Sequence, residues 1–374
     1  MINRERLWNE FRVLNAFDSE SFHERDITEY LVNKLKSLGL SVEIDDAGEK
    51  LRPNEKSAGN IYAFLKGNAE GEALLFSAHT DTVSPGNNKK AILHEDGKVT
   101  SDGTTVLGAD DITGIVAILE MLTVIGEENI PHPDIEVVFF AAEEPYCRGS
   151  SVFDFSKIHA KYGYVLDLDG PVGKIANSAP TILQFSAEIT GRSAHAGFEP
   201  EKGISAILVA SEAVSALKLG RIDEFTTANV GLIHGGSGKN IVPETVVVEG
   251  EVRSSVNEKA VGTVKEIKQA FNLAAEKYGA YIKFTVEEMV SAYSVDENSP
   301  VIGKYKKALE KLGYGEPEIV STFGGSDNNY LNKYGIEGIV IANAMNKVHT
   351  TQEYFYMDEL EKSAKILTEL VKVR

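Results

Sequence analysis

The chain is poor in cysteine, tryptophan and positive charge: 374 residues hold one Cys and one Trp, and 38 Lys and Arg face 56 Asp and Glu. The lone thiol, Cys147, excludes an internal disulfide framework and a cysteine-built zinc site. It suits a reducing compartment, so a cytoplasmic location is expected. A formal charge of −18 repels nucleic-acid phosphates and anionic lipid, and neither is an expected partner. No run is long and apolar enough to span a bilayer. The opening Met1–Phe11 alternates charged with apolar residues and reads as an amphipathic helix rather than a secretion leader. What remains, 43% hydrophobic and 25% charged, is the composition of a soluble globular protein, and the length predicts two domains. The acidic excess would also draw cations toward a carboxylate-lined cleft.

Helices are expected at 3–14 and 20–38, the second from the spacing of Ile27, Tyr30, Leu31, Leu35 and Leu38 before Gly39. Short strands follow at 40–45, 59–66 and 73–78, the last apolar throughout, as befits a strand covered on both faces. A helix begins near Asp111, and the β-branched and aromatic run 135–142 and the segment 163–166 read as buried strands. This alternation predicts an α/β fold with a mainly parallel sheet flanked by helices. From 182 to 291 the order becomes strand 182–190, helix 201–218, strands 227–233 and 244–253, helix 256–278 and strand 281–289, a self-contained βαββαβ α+β layer. The α/β pattern then resumes with helix 299–313, strand 316–322, a short helix from 327, strand 338–343, and a last helix opened by an Asp358/Glu361 capping box. Residues 1–181 and 292–374 are thus expected to form one split domain, with 182–291 inserted.

Polar residues stand directly after the buried strands, where ligands bind in an open α/β sheet. They are Ser77-Ala78-His79-Thr80-Asp81, Gly108-Ala109-Asp110-Asp111, Ala141-Ala142-Glu143-Glu144 and Leu166-Asp167-Leu168-Asp169, joined by the segment of His349. Each is weak alone. His-x-Asp is usually a loop pair, Glu143-Glu144 a solvated turn, Asp110-Asp111 a helix N-cap, and Asp167 and Asp169 turn residues. Gathered on one rim, so many carboxylates would repel one another without cations. Imidazole and carboxylate are zinc's usual non-sulfur donors, and one histidine for each of two ions sharing a carboxylate is sensible. Asp81, two residues beyond His79, is placed to fix that ring's tautomer.

With Gly191-Arg192-Ser193-Ala194-His195-Ala196-Gly197 and Gly324-Gly325-Ser326-Asp327, these stretches resemble the peptidase T and aminoacylase family of co-catalytic zinc exopeptidases, in particular its tripeptide aminopeptidase branch. They follow the family's order and cover nearly the whole chain. The resemblance implies two Zn²⁺ per subunit, with Co²⁺ or Mn²⁺ as alternatives. One metal would be held by His79, Asp110 and Asp167, the other by Asp110, Glu144 and His349, with Asp110 bridging. Glu143 would be the general base, Asp81 would orient His79, and the Asp110–Asp111 peptide would be cis. The inserted segment would be a lid and the contact of a homodimer. His195 would meet the developing oxyanion, and Asn240, Arg253, Gly325 and Ser326 would hold the substrate.

The implied activity is removal of the N-terminal residue from short peptides. The alternatives are an acylamino-acid amidohydrolase or carboxypeptidase of the same chemistry, and an inactive metal-binding scaffold, against which the presence of Glu143 speaks. Two departures stand out. Asp167 is preferred to Asp169 because it directly follows its strand, but both are available. The loop Phe323-Gly324-Gly325 lacks the arginine that precedes the glycines in typical tripeptidases.

Overall fold

The computed structural model describes residues 1–52 and 57–373. The chain forms two compact units, one of Met1–Ser178, Ser294–Thr322 and Ser326–Arg374, the other of Ala179–Tyr293 with Phe323–Gly325. Among the described residues no helix is long and apolar enough to cross a membrane.

The first unit is built on a sheet ordered 41–44, 61–65, 135–140, 74–79, 162–168, 337–342, 174–179, 293–294, with 318–321 beside 174–179. Leu74–His79 runs parallel to both Ile135–Phe140 and Tyr162–Leu168, and Glu337–Ala342 runs parallel to Tyr162–Leu168. Antiparallel neighbours stand outside this parallel core. Every residue of Leu74–His79 and Ile135–Phe140 is buried, which is why these segments read as unbroken apolar runs rather than alternating ones. Helix Ala109–Glu127 is buried along nearly its whole length and packs against Leu74–His79 and Met357–Leu370. Helix Pro300–Leu312 shows its reasons locally. Ser299 caps the Val301 amide, Pro300 opens the first turn, and Gly313 closes the helix at φ 72°.

The second unit is an antiparallel sheet ordered 220–221, 226–235, 245–254, 181–190, 281–290, against which Ala206–Ser215 and Asn257–Tyr278 pack. Along Thr181–Thr190, Leu183, Phe185, Ala187 and Ile189 enter the core with Val209, Val248 and Phe271, while Glu188 is exposed. This is the two-residue period of a half-covered strand. The α/β class and the inserted α+β layer are as expected.

Three local expectations need correction. The second helix begins at Arg25, not at 20, because Phe22 takes φ 69° and its amide donates to Glu24 Oε1, turning 19–24 into a loop. The last helix has no capping box. Tyr356 stands at its N-cap with no side-chain bond, and Asp358 and Glu361 both bind the Arg4 guanidinium. The helix expected at 201–218 shrinks to Ala206–Ser215, preceded by the turn Pro200–Lys202 and capped by Ser205. Strand Lys174–Ala179 was not anticipated, since Lys174, Asn177 and Ser178 break its apolar pattern.

Candidate metal centre

His79 ends its strand, and its ring is 2% exposed. Nδ1 lies 3.0 Å from the Asp81 carbonyl, which can only accept, so Nδ1 carries the proton and Nε2 is left as a donor atom for a cation. Nε2 faces Asp110 Oδ1 at 3.0 Å and Asp167 Oδ1 at 3.9 Å. The other Asp110 oxygen, Oδ2, lies 3.2 Å from His349 Nε2, which is also 3.0 Å from Glu144 Oε2. Asp110 thus presents one oxygen to each histidine. It occupies a non-helical position at the head of Ala109–Glu127, and its peptide bond to Asp111 is cis. Asp111 turns away, accepting from the His79 and Gly114 amides and from Asn343 Nδ2. Of the two aspartates in Leu166-Asp167-Leu168-Asp169, Asp167 faces His79, whereas Asp169 is exposed beside Lys174.

The segment after Ile135–Phe140 is held by its backbone. Ala142 adopts φ 49°, and three successive amides point at carboxylates of other segments. Ala142 donates to Glu24 Oε1 at 3.1 Å, Glu143 to Asp81 Oδ1 at 2.8 Å, and Glu144 to Asp81 Oδ2 at 3.2 Å. Ser21 Oγ donates to Asp81 Oδ2 at 2.7 Å. Asp81 was expected only to orient His79; it also anchors the two glutamates. The Cys147 thiol donates to Glu143 Oε1 at 3.2 Å, and burial pushes its pKa up, so it is no thiolate ligand.

The charges confirm the crowding. Burial, then neighbouring carboxylates, raise Glu143 and Asp167 well above the ordinary carboxylate range and shift Glu144 in the same direction. His349 is pushed up to about 11 by Asp110 and Glu144. Burial opposes a charge on His79 and on Asp110, yet their mutual contact and His349 outweigh it, raising the histidine and lowering the aspartate. The donor atoms of His79, Asp110 and Glu144 lie within 4.8 Å of one another, as do those of His79, Glu143 and Asp167. Glu144 Oε1 is buried without a hydrogen-bond partner. An orphaned carboxylate oxygen amid imidazole and carboxylate donors fits divalent cations of the zinc type.

The residues expected to hold substrate divide between the two units. His195, Asn240, Arg253 and Gly325 belong to the second unit and Ser326 to the first. His195 and Asn240 are brought together, since His195 bridges Ile241 and the Ala196 amide donates to the Asn240 carbonyl. His195 Nδ1 accepts from the Gly197 and Phe198 amides, which leaves the Nε2–H of an exposed ring to donate. Arg253 already grips Glu251 with Nε and Nη2, at 2.7 and 3.1 Å, and donates to the Phe323 carbonyl. Ser326 is buried, its amide bonded to Asn329 Oδ1.

Sequence reasoning missed Ser21, Glu24, Asn343 and Glu353, all of which brace the ligand loops, and it placed Asp111 in the site segment without giving it that role. Asn343 offered a signal, as a polar residue ending an apolar strand; the other missed residues offered none.

A largely buried cluster of histidine and carboxylate donors beside the ends of parallel strands, with a further glutamate next to it, is the site of a metal-dependent hydrolase. Residues 177–279 match the peptidase dimerisation domain, and 60–195 match peptidase family M28. The Bacillus subtilis protein YqjE is 41% identical over 100% of this chain and 99% of its own. The crystal structure of the aminopeptidase PepT of Bacillus cereus is similar at 39% identity and TM-score 0.89, covering 99% of this chain and 98% of the other. A tripeptidase of Staphylococcus aureus is similar at 37% identity and TM-score 0.93, covering 100% and 98%. The chain belongs to the peptidase T family, and it is a metal-dependent peptidase.

Proposed function

We propose that the protein is a two-zinc aminopeptidase that removes the N-terminal residue of short peptides, tripeptides foremost. The observation that carries this reading is the split carboxylate of Asp110, one oxygen toward His79 and the other toward His349. In it, His79, Asp110 and Asp167 hold one ion and Asp110, Glu144 and His349 the other. Bound there, such ions would supply Lewis acidity for the scissile carbonyl and for a water. Glu143 takes the water's proton and returns it to the leaving amine, its carboxylate aimed by the Cys147 thiol and by the Asp81 grip on its amide. His195 donates its Nε2–H to the oxyanion, and Asn240, Arg253, Gly325 and Ser326 line the substrate. The similarity to an aminopeptidase and a tripeptidase supports the substrate class. The acidic chain works in the cytoplasm as a homodimer, without nucleic-acid or membrane partners.

The test compares a free tripeptide, its N-acetylated form and its C-terminal amide. The free amine form is cleaved fastest; faster cleavage of the N-acetylated form would make the protein an amidohydrolase or carboxypeptidase of the same chemistry. Glu143→Ala is expected to retain both zinc ions, by elemental analysis, while kcat falls by about 10²–10⁴-fold. Normal turnover by that variant would sink the mechanism.

A further inference from the structure

Glu353 stands four residues beyond His349 and, at 1% exposure, is buried as deeply as His79. Its carboxylate accepts three backbone amides. Oε2 takes those of Leu107 and Gly108 at 2.7 and 2.8 Å, and Oε1 takes that of Asp110 at 2.9 Å. The nearby Lys89 ammonium donates instead to the carbonyls of Phe17 and Gly86. On its own side, the Glu353 amide donates to the Thr350 carbonyl at 3.1 Å, and Tyr354 exchanges backbone bonds with Asn346 at 2.9 and 3.0 Å. Residues 346–354 therefore close into a loop that carries His349 in a left-handed conformation, φ 62°. Glu353 is the side chain through which that loop grips the segment of Asp110.

Burying a carboxylate costs free energy that an apolar residue in the same space would not incur. Charge-assisted bonds to amides offset this cost and add a direction: they fix where the Asp110 backbone lies. A shared cation needs its donors placed within about 0.5 Å, and Asp110 Oδ2 and His349 Nε2 come from segments joined by this one carboxylate. We propose that Glu353 is a positioning residue that holds Asp110 in register with His349, so that both can bind one ion. The proposal rests on the two-metal reading above. Glutamine cannot replace it, because its single oxygen serves only one side and its NH₂ group faces an amide donor on the other.

The experiment is a titration of metal-free wild type and Glu353→Gln with Co²⁺, followed by visible absorption, alongside thermal melts and tripeptide kinetics. The expected result is two equivalents in the wild type and about 10–100-fold weaker binding in the variant. Its metal-free melting temperature stays within a few degrees of wild type, and kcat recovers at saturating Co²⁺ with KM unchanged. Should Glu353→Gln not fold, Glu353→Asp, which keeps both oxygens on a shorter stem, is titrated with the same expectation of weakened binding. Wild-type affinity in the folded variant, or a lowered melting temperature with normal affinity, overturns the proposal. A wild type that takes up fewer than two equivalents defeats the two-metal reading instead, so the two failures are told apart.

Discussion

Asp81 carries more of the site than any single ligand does. Its carbonyl sets the His79 tautomer, and its two carboxylate oxygens hold the amides of Glu143 and Glu144, with Ser21 adding a third donor. In Asp81→Asn one oxygen becomes an NH₂ group facing an amide it cannot accept from, which leaves a buried donor unsatisfied at about 1–3 kcal/mol. The expected outcome is a loss of about 10–100-fold in kcat/KM with metal still bound. A variant with wild-type kinetics would show that the glutamates need no such anchor. Of the proposed ligands, His79, Glu144 and Asp167 were legible because they stand at or just beyond the end of an apolar strand, whereas Asp110 at a helix head and His349 in a loop were picked out by the family resemblance. Ser21 was not legible, because its single bond reaches the distant Asp81 carboxylate, and Glu24 and Glu353 were not, because they bind backbone amides. Any residue can offer an amide, so no pairing of side-chain types marks the contact. Glu353 in Thr351-Gln352-Glu353-Tyr354 looks like any polar turn.

At the scale of elements, long segments with a single strong period were read correctly and short mixed ones were not. Leu74–His79, Ile135–Phe140 and Ala109–Glu127 declare themselves by continuous apolar character. The stretch 20–24 looked helical, and tertiary bonds of the loop 19–24, Thr82 N–H to the Ser19 carbonyl, Ser21 Oγ to Asp81 and Ala142 N–H to Glu24, make it a brace for the site. The short helix Arg148–Ser151 behind the glutamates depends on another contact hidden from sequence. A Cβ on Gly149 would lie 2.1 Å from the Ala141 carbonyl oxygen and 2.4 Å from Asn60 Oδ1. Asn60 in turn donates to the Gly149 carbonyl at 2.9 Å and accepts the Ala141 amide at 3.0 Å. Gly149→Ala must push this helix off the strand end, so it is expected to cost about 1–3 kcal/mol in denaturant unfolding. It should also lower kcat by displacing Glu143. Unchanged stability would mean that the helix has room to shift.

For the molecule as a whole, the open question is what covers the edge of the second unit's sheet. Strand Thr226–Gly235 pairs with Thr245–Ser254 along one side, but along the other it meets, among the described residues, only Gly220–Arg221, at Thr227 and Ala228. The remaining stretch carries Leu232 and Ile233 at 52% and 54% exposure, and helix Ala206–Ser215 adds Ile207 and Leu208 at 45% and 50%. Ile207 reaches the end of this strand, near Gly236. An exposed apolar edge strand invites another chain, and it persists in native proteins where a partner regularly covers it. The match of 177–279 to a peptidase dimerisation domain makes a second copy the natural partner, and a two-fold axis would let the same edge meet itself. Light scattering coupled to size exclusion is therefore expected to give about twice the 40.7 kDa of the chain for the wild type at micromolar concentration. It should give the single mass for Leu232→Lys combined with Ile207→Lys, since two opposed copies would bury like charges without partners. The metal content of that variant should stay at the wild-type value, because none of the proposed ligands belongs to the second unit. A variant that remains dimeric would place the contact elsewhere, and a monomeric wild type would leave this apolar edge without the partner that explains it.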